Sequence, residues 1–185
     1  MVLRLIGLTG KAESGKDTAA DYLVNKNENW IKTAFAKPLK DLCINYLGLT
    51  YDDVYTHDGK AKFNDFWGMT NREILQKVGT DAFRNGFHKN TWTKIMELQI
   101  NKLLNEGKNV VVSDCRFDNE AELIYKLGGV VFNIERPNHN SLKDVEKSHV
   151  SENGIKKDLI TASIINDSDF DTFYKRFEEE LKKNE

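Results

Sequence analysis

Gly10, four further residues, then Gly15 and Lys16 spell GxxxxGK inside "GLTGKAESGKDTAADYL" (7–23). Glycines at that spacing let the backbone N–H groups of residues 11–16 turn toward one anion, and a helix starting at the second glycine adds partial positive charge. Lys16 then reaches the β- and γ-phosphates of a nucleotide. The usual pattern follows that lysine with a hydroxyl, and here Asp17 stands in its place. A carboxylate there can hold Mg²⁺ directly or through water, or it can balance Lys16 and leave Thr18 to support the metal.

Three other stretches carry residues of the same chemistry. In "VVVSDCRFDNEAE" (110–122), Asp114 ends a β-branched run, as the acidic residue of a Walker B strand does, where it can polarise a metal-bound water or orient an acceptor. Arg116 lies two residues on, with Cys115 between them as a small buried residue, and Asp118 or Asn119 is placed to cap the next helix. In "TNREILQKVGTDAFRN" (70–85), Arg72 and Gln76 share a helix face, with Arg84 just beyond. A guanidinium fork grips phosphate bidentately, and a glutamine amide both donates to and accepts from a base edge. Residues 136–158 are polar and lysine-bearing, with Arg136 at their start, the composition of a basic flap over bound phosphates or of an ordinary surface insertion. Arginine is scarce, six residues against twenty-one lysines, yet Arg72, Arg84, Arg116 and Arg136 all fall in or beside these stretches.

The elements that must position them alternate. Strands are expected at 2–8, 30–35, 109–114, 130–135 and 159–166, and helices at 14–26, 38–47, 70–79, 91–107, 119–129 and from 170 onward. The expected buried faces are Ala19, Ala20, Leu23 and Val24; Leu39, Leu42, Cys43 and Tyr46; Ile95 with Leu98 or Gln99 and Lys102 or Leu103; and Phe170, Phe173, Phe177 and Leu181. Gly48 and Gly79 read as helix stops. Five strands interleaved with helices predict an α/β fold, a parallel sheet covered on both faces with all strand C-termini on one rim.

Composition narrows the function. The 185 residues fit one domain, and a net charge of −2 with pI near 6.1 argues against a general nucleic-acid or membrane-surface binder. Cys43 and Cys115 form no metal-ligand spacing, and the N-terminal apolar run is too short to serve as a signal or to span a bilayer, so the protein is read as cytoplasmic.

Taken in order, "GLTGKAESGKDTAADYL", "FAKPLKDL", "TNREILQKVGTDAFRN", "TW" (91–92), "SDCRFDNEAE" and "SHVSE" resemble the motifs of bacteriophage deoxynucleoside monophosphate kinases, members of the P-loop nucleotide kinase fold. The resemblance runs over almost the whole chain. It implies a five-stranded core formed by 1–36, 91–135 and 158–185, a helical region for binding the nucleoside monophosphate at 37–90, and a mobile lid at 136–157. It also implies transfer of the γ-phosphoryl group of ATP to a deoxynucleoside monophosphate (dNMP) with Mg²⁺, in the cytoplasm of a host cell where the gene is phage-borne.

By the same resemblance Lys11, Ala12, Glu13, Ser14, Gly15, Lys16, Asp17 and Thr18 hold the ATP phosphates, and Asn166 approaches the adenine. Phe35, Lys37, Leu39, Arg72, Gln76, Gly79, Thr80, Arg84 and Glu120 belong to the acceptor side, with Trp92 stacking on or flanking the acceptor base. Asp114 and Arg116 face the acceptor phosphate, and Arg136 is a lid arginine. Lys16, Asp114, Arg116 and Arg136 are the catalytic set, and Asp17 and Asp114 the metal ligands. The partners implied are ATP and a dNMP, with no nucleic acid and no membrane, and a homodimer is left open. The same loop also suits a kinase of another small acceptor, of the dephospho-coenzyme A or phosphomevalonate type, or a nucleotide-binding protein without catalysis. A switch protein would need a base-recognition signature such as NKxD, and the chain has none.

Overall fold

The computed structural model describes residues 3–137 and 154–184. In chain order the elements are β1 (Leu5–Thr9), α1 (Lys16–Lys26), β2 (Trp30–Thr33), α2 (Lys37–Leu47), α3 (Tyr51–Tyr55), α4 (His57–Ala61), β3 (Phe63–Asn64), β4 (Met69–Thr70) and α5 (Asn71–Gln76). A π-helical segment (Lys77–Asn85) continues α5, followed by α6 (Thr91–Asn105), β5 (Asn109–Val112), α7 (Asp118–Lys126), β6 (Val130–Glu135), β7 (Ala162–Ile165) and α8 (Phe170–Lys183). Contacts divide the chain into two compact units, Met1–Phe35 with Glu97–Glu185, and Ala36–Met96.

The first unit is built on a five-stranded parallel sheet of order β2-β5-β1-β6-β7. β1 is central, with Gly7 opposite Val112 on one side and Val131 on the other. Its side chains alternate: Ile6 and Leu8 join Ala19, Ala20 and Leu23 of α1 and Phe173 and Phe177 of α8 in one buried cluster. On the opposite face, a Cβ on Gly7 would lie 3.1 Å from Ile124 of α7, so glycine lets α7 approach the middle strand. The chain reverses its direction of travel across the sheet next to β1, and the segment leaving β1 therefore sits at the topological switch point, where open α/β sheets take ligands.

Helix faces agree with the periodicity in part. Phe173 and Phe177 are fully buried, but Phe170 is 65% exposed, because it opens α8 and, among the described residues, stacks on Tyr174 alone. On the expected face of α2, Cys43 is fully buried, but Tyr46 is 82% exposed rather than core. α6 turns its buried face through Trp92, Thr93, Met96 and Ile100, one residue off the expected stripe, which leaves Leu98 73% exposed.

The second unit packs Cys43, Leu49, Val54 and Ile74 in its own cluster. Two short helices and a two-stranded hairpin between residues 51 and 70 give no long periodic signal and are absent from the expected elements. Gly79 does not end its helix. It lies buried inside the π-helical segment, where a Cβ would come 2.7 Å from Leu39 Cδ2, and its carbonyl accepts a 2.8 Å hydrogen bond from Trp92 Nε1. Glycine at 79 thus serves close packing, not termination. Trp92→Phe keeps a ring beside Phe83 but removes that donor. It should cost about 1 kcal/mol in urea unfolding.

Candidate active site

The loop from Gly10 to Gly15 joins β1 to α1, and its shape follows from the residues at its ends. Gly10 and Gly15 adopt φ +136° and +106°, which side-chain-bearing residues rarely take. Space forbids a side chain as well: a Cβ on Gly10 would sit 2.3 Å from the Ile134 carbonyl oxygen, and one on Gly15 2.5 Å from Asn166 Nδ2. Among the described residues Glu13, at φ 59°, is the one non-glycine residue with positive φ, and it places one more amide in the bend.

Helix α1 starts at Gly15 with no side-chain cap, so its first N–H groups are open to an anion from outside. Lys16, 8% exposed, curls back and donates from Nζ to Gly10 O at 2.9 Å and Lys11 O at 2.6 Å. Among the described residues, Ser14 Oγ is the one buried side-chain polar atom with no hydrogen-bond partner. A buried orphan hydroxyl, an uncapped helix start and a loop with no room for a Cβ at either end fit a bound phosphate group.

Asp17 is exposed on its side chain and pairs with Lys32 Nζ of β2 at 2.8 Å, while the same ammonium meets Asp21 at 2.9 Å. Ser113 also hydrogen-bonds Asp17. Burial alone would raise the Asp17 pKa, but the Lys32 hydrogen bond and charge, with Ser113 and Lys16, hold it below the ordinary value. Burial pulls the Lys32 ammonium down, yet the two carboxylates leave its pKa raised. Asp17's share of stability is therefore fully present above pH 3.8 and fades as the pH falls through its lower folded-state value. Lys32's share is present below 10.5 and fades as the pH rises through its raised value. Thermal melts of wild type and Asp17→Asn should differ by a constant amount across neutral pH and converge below pH 3.8.

Asp114, half-buried just past β5, accepts the Phe35 amide on Oδ1 at 2.5 Å, which ties the end of β5 to the segment leaving β2. Phe35 itself is 3% exposed. Glu120 is buried, and its Oε2 accepts the amides of Arg116 at 2.8 Å and Phe117 at 3.2 Å. That carboxylate fixes the turn carrying Arg116 and caps α7, whereas Asp118 instead receives the Lys156 amide at 3.0 Å. Arg116 and Arg136 are exposed, and Arg136 Nη1 reaches the Glu13 carbonyl at 3.5 Å.

Asn166 follows β7 and donates from Nδ2 to Ser14 O at 2.9 Å, so the structure sets it against the loop backbone. In the second unit, Arg72 and Arg84 are half-buried, Lys37, Gln76 and Thr80 are exposed, Leu39 packs at Gly79, and Trp92 is 7% exposed. Of the expected lid, residues 138–153 lie outside the described residues, His139 and His149 among them. Sequence reasoning missed Lys32 and Ser113. The signal available for Lys32 was a lone lysine in "WIKTAF" facing acids at 17 and 21, one helical turn apart.

A five-stranded parallel sheet with a phosphate loop at its switch point defines a P-loop kinase core. Dephospho-CoA kinase from Campylobacter jejuni has this fold, with a TM-score of 0.54 and 16% identity over 98% of this chain and 99% of that one. The family model for deoxynucleotide monophosphate kinase matches residues 49–177. A protein of Acanthamoeba polyphaga mimivirus, provisionally named a deoxynucleotide monophosphate kinase, is 38% identical over 92% of both chains. The deoxynucleotide monophosphate kinase of Enterobacteria phage T4 is 24% identical over 97% of this chain and 99% of its own. The chain belongs to the deoxynucleotide monophosphate kinase family. Among the described residues no helix is long and apolar enough to cross a membrane.

Proposed function

We propose that the chain transfers the γ-phosphoryl group of ATP to the phosphate of a deoxynucleoside 5′-monophosphate, giving ADP and the diphosphate. The observation that carries the donor half is the loop of residues 10–16, with its orphan Ser14 hydroxyl and uncapped α1 start. An acceptor phosphate oxygen attacks the γ-phosphorus, the bond to the β–γ bridging oxygen breaks, and the leaving charge stays on ADP. Protein groups align the two ends and neutralise charge.

In this reading Lys16 leaves its two loop carbonyls for the β- and γ-phosphates, and the loop amides hold the rest of the triphosphate. Asp17 and Asp114 would hold Mg²⁺, a fit supported by their chemistry, since this ion takes one or two carboxylates and completes its shell with phosphate and water. When bound, the ion screens the phosphate charge. Arg116, braced by Glu120, and Arg136 supply cationic forks toward the acceptor phosphate and the transferring group. Lys37, Arg72, Gln76, Thr80 and Arg84 serve the acceptor nucleotide. Phe35, Leu39, Gly79 and Trp92 shape the segments that carry those groups. The reaction is placed in the cytoplasm and needs neither nucleic acid nor membrane.

ADP release measured against a panel of the four dNMPs and dephospho-coenzyme A tests this. Turnover with at least one dNMP and none with dephospho-coenzyme A is the expected result. Turnover with dephospho-coenzyme A alone would overturn the acceptor assignment.

A further inference from the structure

Asn166, which the family resemblance puts near the adenine, hydrogen-bonds the backbone of the loop between Gly10 and Gly15. Its backbone N–H donates to Glu135 O at 2.7 Å, which fixes the residue to the end of β6, and its side-chain amide donates to Ser14 O at 2.9 Å. The neighbouring turn is anchored in its own right: Arg176 of α8 donates to Ile165 O at 2.8 Å and pairs with Asp167 at 2.6 Å. A Cβ on Gly15 would fall 2.5 Å from Asn166 Nδ2, so glycine there leaves room for that amide.

The peptide unit whose carbonyl Asn166 grips is the one joining Ser14 to Gly15. A peptide is planar, so fixing its oxygen also fixes the direction of the Gly15 N–H. That N–H lies in the bend that faces a bound phosphate. We infer that Asn166 is a positioning residue for the phosphate loop: α8 holds the β7 turn, the turn holds Asn166, and Asn166 orients the Ser14–Gly15 peptide for a polyphosphate. Its effect is on phosphate binding and is blind to the base.

The inference rests on the proposed donor site and separates from it in one experiment. Inorganic tripolyphosphate has the charge of the ATP tail and no base, and its dissociation constant is measured by calorimetry beside that of ATP for wild type and Asn166→Ala. The variant should weaken both by the same factor, about tenfold for one lost hydrogen bond that orients a charge-binding amide. Hydrogen exchange of the residue 11–16 amides, read without any ligand at matched folded fraction, should quicken in the variant. A variant that loses ATP affinity but keeps tripolyphosphate affinity would overturn the inference and make Asn166 a base contact. Unchanged affinities with unchanged exchange would also overturn it. Wild type that binds neither ligand would overturn the donor site itself, and the exchange result would still report on Asn166.

Discussion

Lys16→Ala lowers kcat/KM for phosphoryl transfer by about two to three orders of magnitude. The lysine is 8% exposed at the uncapped start of α1, so its charge acts where little water screens it. Much of the loss should appear in kcat, since negative charge shifts along the β–γ bridge as the bond breaks and a fixed ammonium follows it better than water does. A smaller part should appear as weaker ATP binding. Lys16 also donates to Gly10 O and Lys11 O, and its removal loosens the loop as well as the charge. Lys16→Arg should not restore the rate, because a broad planar guanidinium does not reproduce the compact point charge of the ammonium. Steady-state kinetics over a range of ATP and acceptor concentrations separate the two parts.

Gly10→Ala damages the same loop through its backbone. The new methyl would lie 2.3 Å from the Ile134 carbonyl oxygen and 2.8 Å from Ser14 Oγ, at a φ of +136° that alanine does not tolerate. Ile134 lies next to the end of β6, paired with Ile164 of β7, and cannot retreat without breaking that ladder, so the loop must move instead. Backbone strain of this kind costs about 1–3 kcal/mol. Each loop amide turned away from the phosphate costs about ten- to a hundredfold in ATP affinity. The melting temperature should fall by several degrees while ATP affinity falls much further, and the disproportion is the signature of a loop shaped for its ligand. Calorimetric titration and thermal melts on the same preparation read both.

How much of this was legible in one dimension depended on how local the cause was. GxxxxGK announced the loop because the need for left-handed glycines and a lysine is written within seven residues. The β-branched runs announced β5 and β6, since a strand buried on both faces is apolar throughout. Phe170 was misplaced because a helical stripe says which residues share a face and not where along the helix the core ends. Gly79 was read as a stop because the contacts that place it, Leu39 and Trp92, lie 40 residues before and 13 after. Distance likewise separates Asn166 from the Ser14 carbonyl it hydrogen-bonds, 152 residues away, whereas Glu120 finds its amide partners only three and four residues back. A buried acid near a rim suggests substrate contact, whereas here it holds the amides on which Arg116 is mounted. Asp17 illustrates the limit most clearly: its departure from a hydroxyl was plain, but its partner Lys32 comes from β2, and only the fold brings them together.

The most direct measurement follows the γ-phosphoryl group itself. ATP labelled at the γ-phosphate is incubated with Mg²⁺, the purified chain and each dNMP in turn, and the products are separated. Label should appear in the deoxynucleoside diphosphate of at least one base and should be absent with Lys16→Ala. Label that emerges only as free phosphate, at a rate no dNMP alters, would contradict the account.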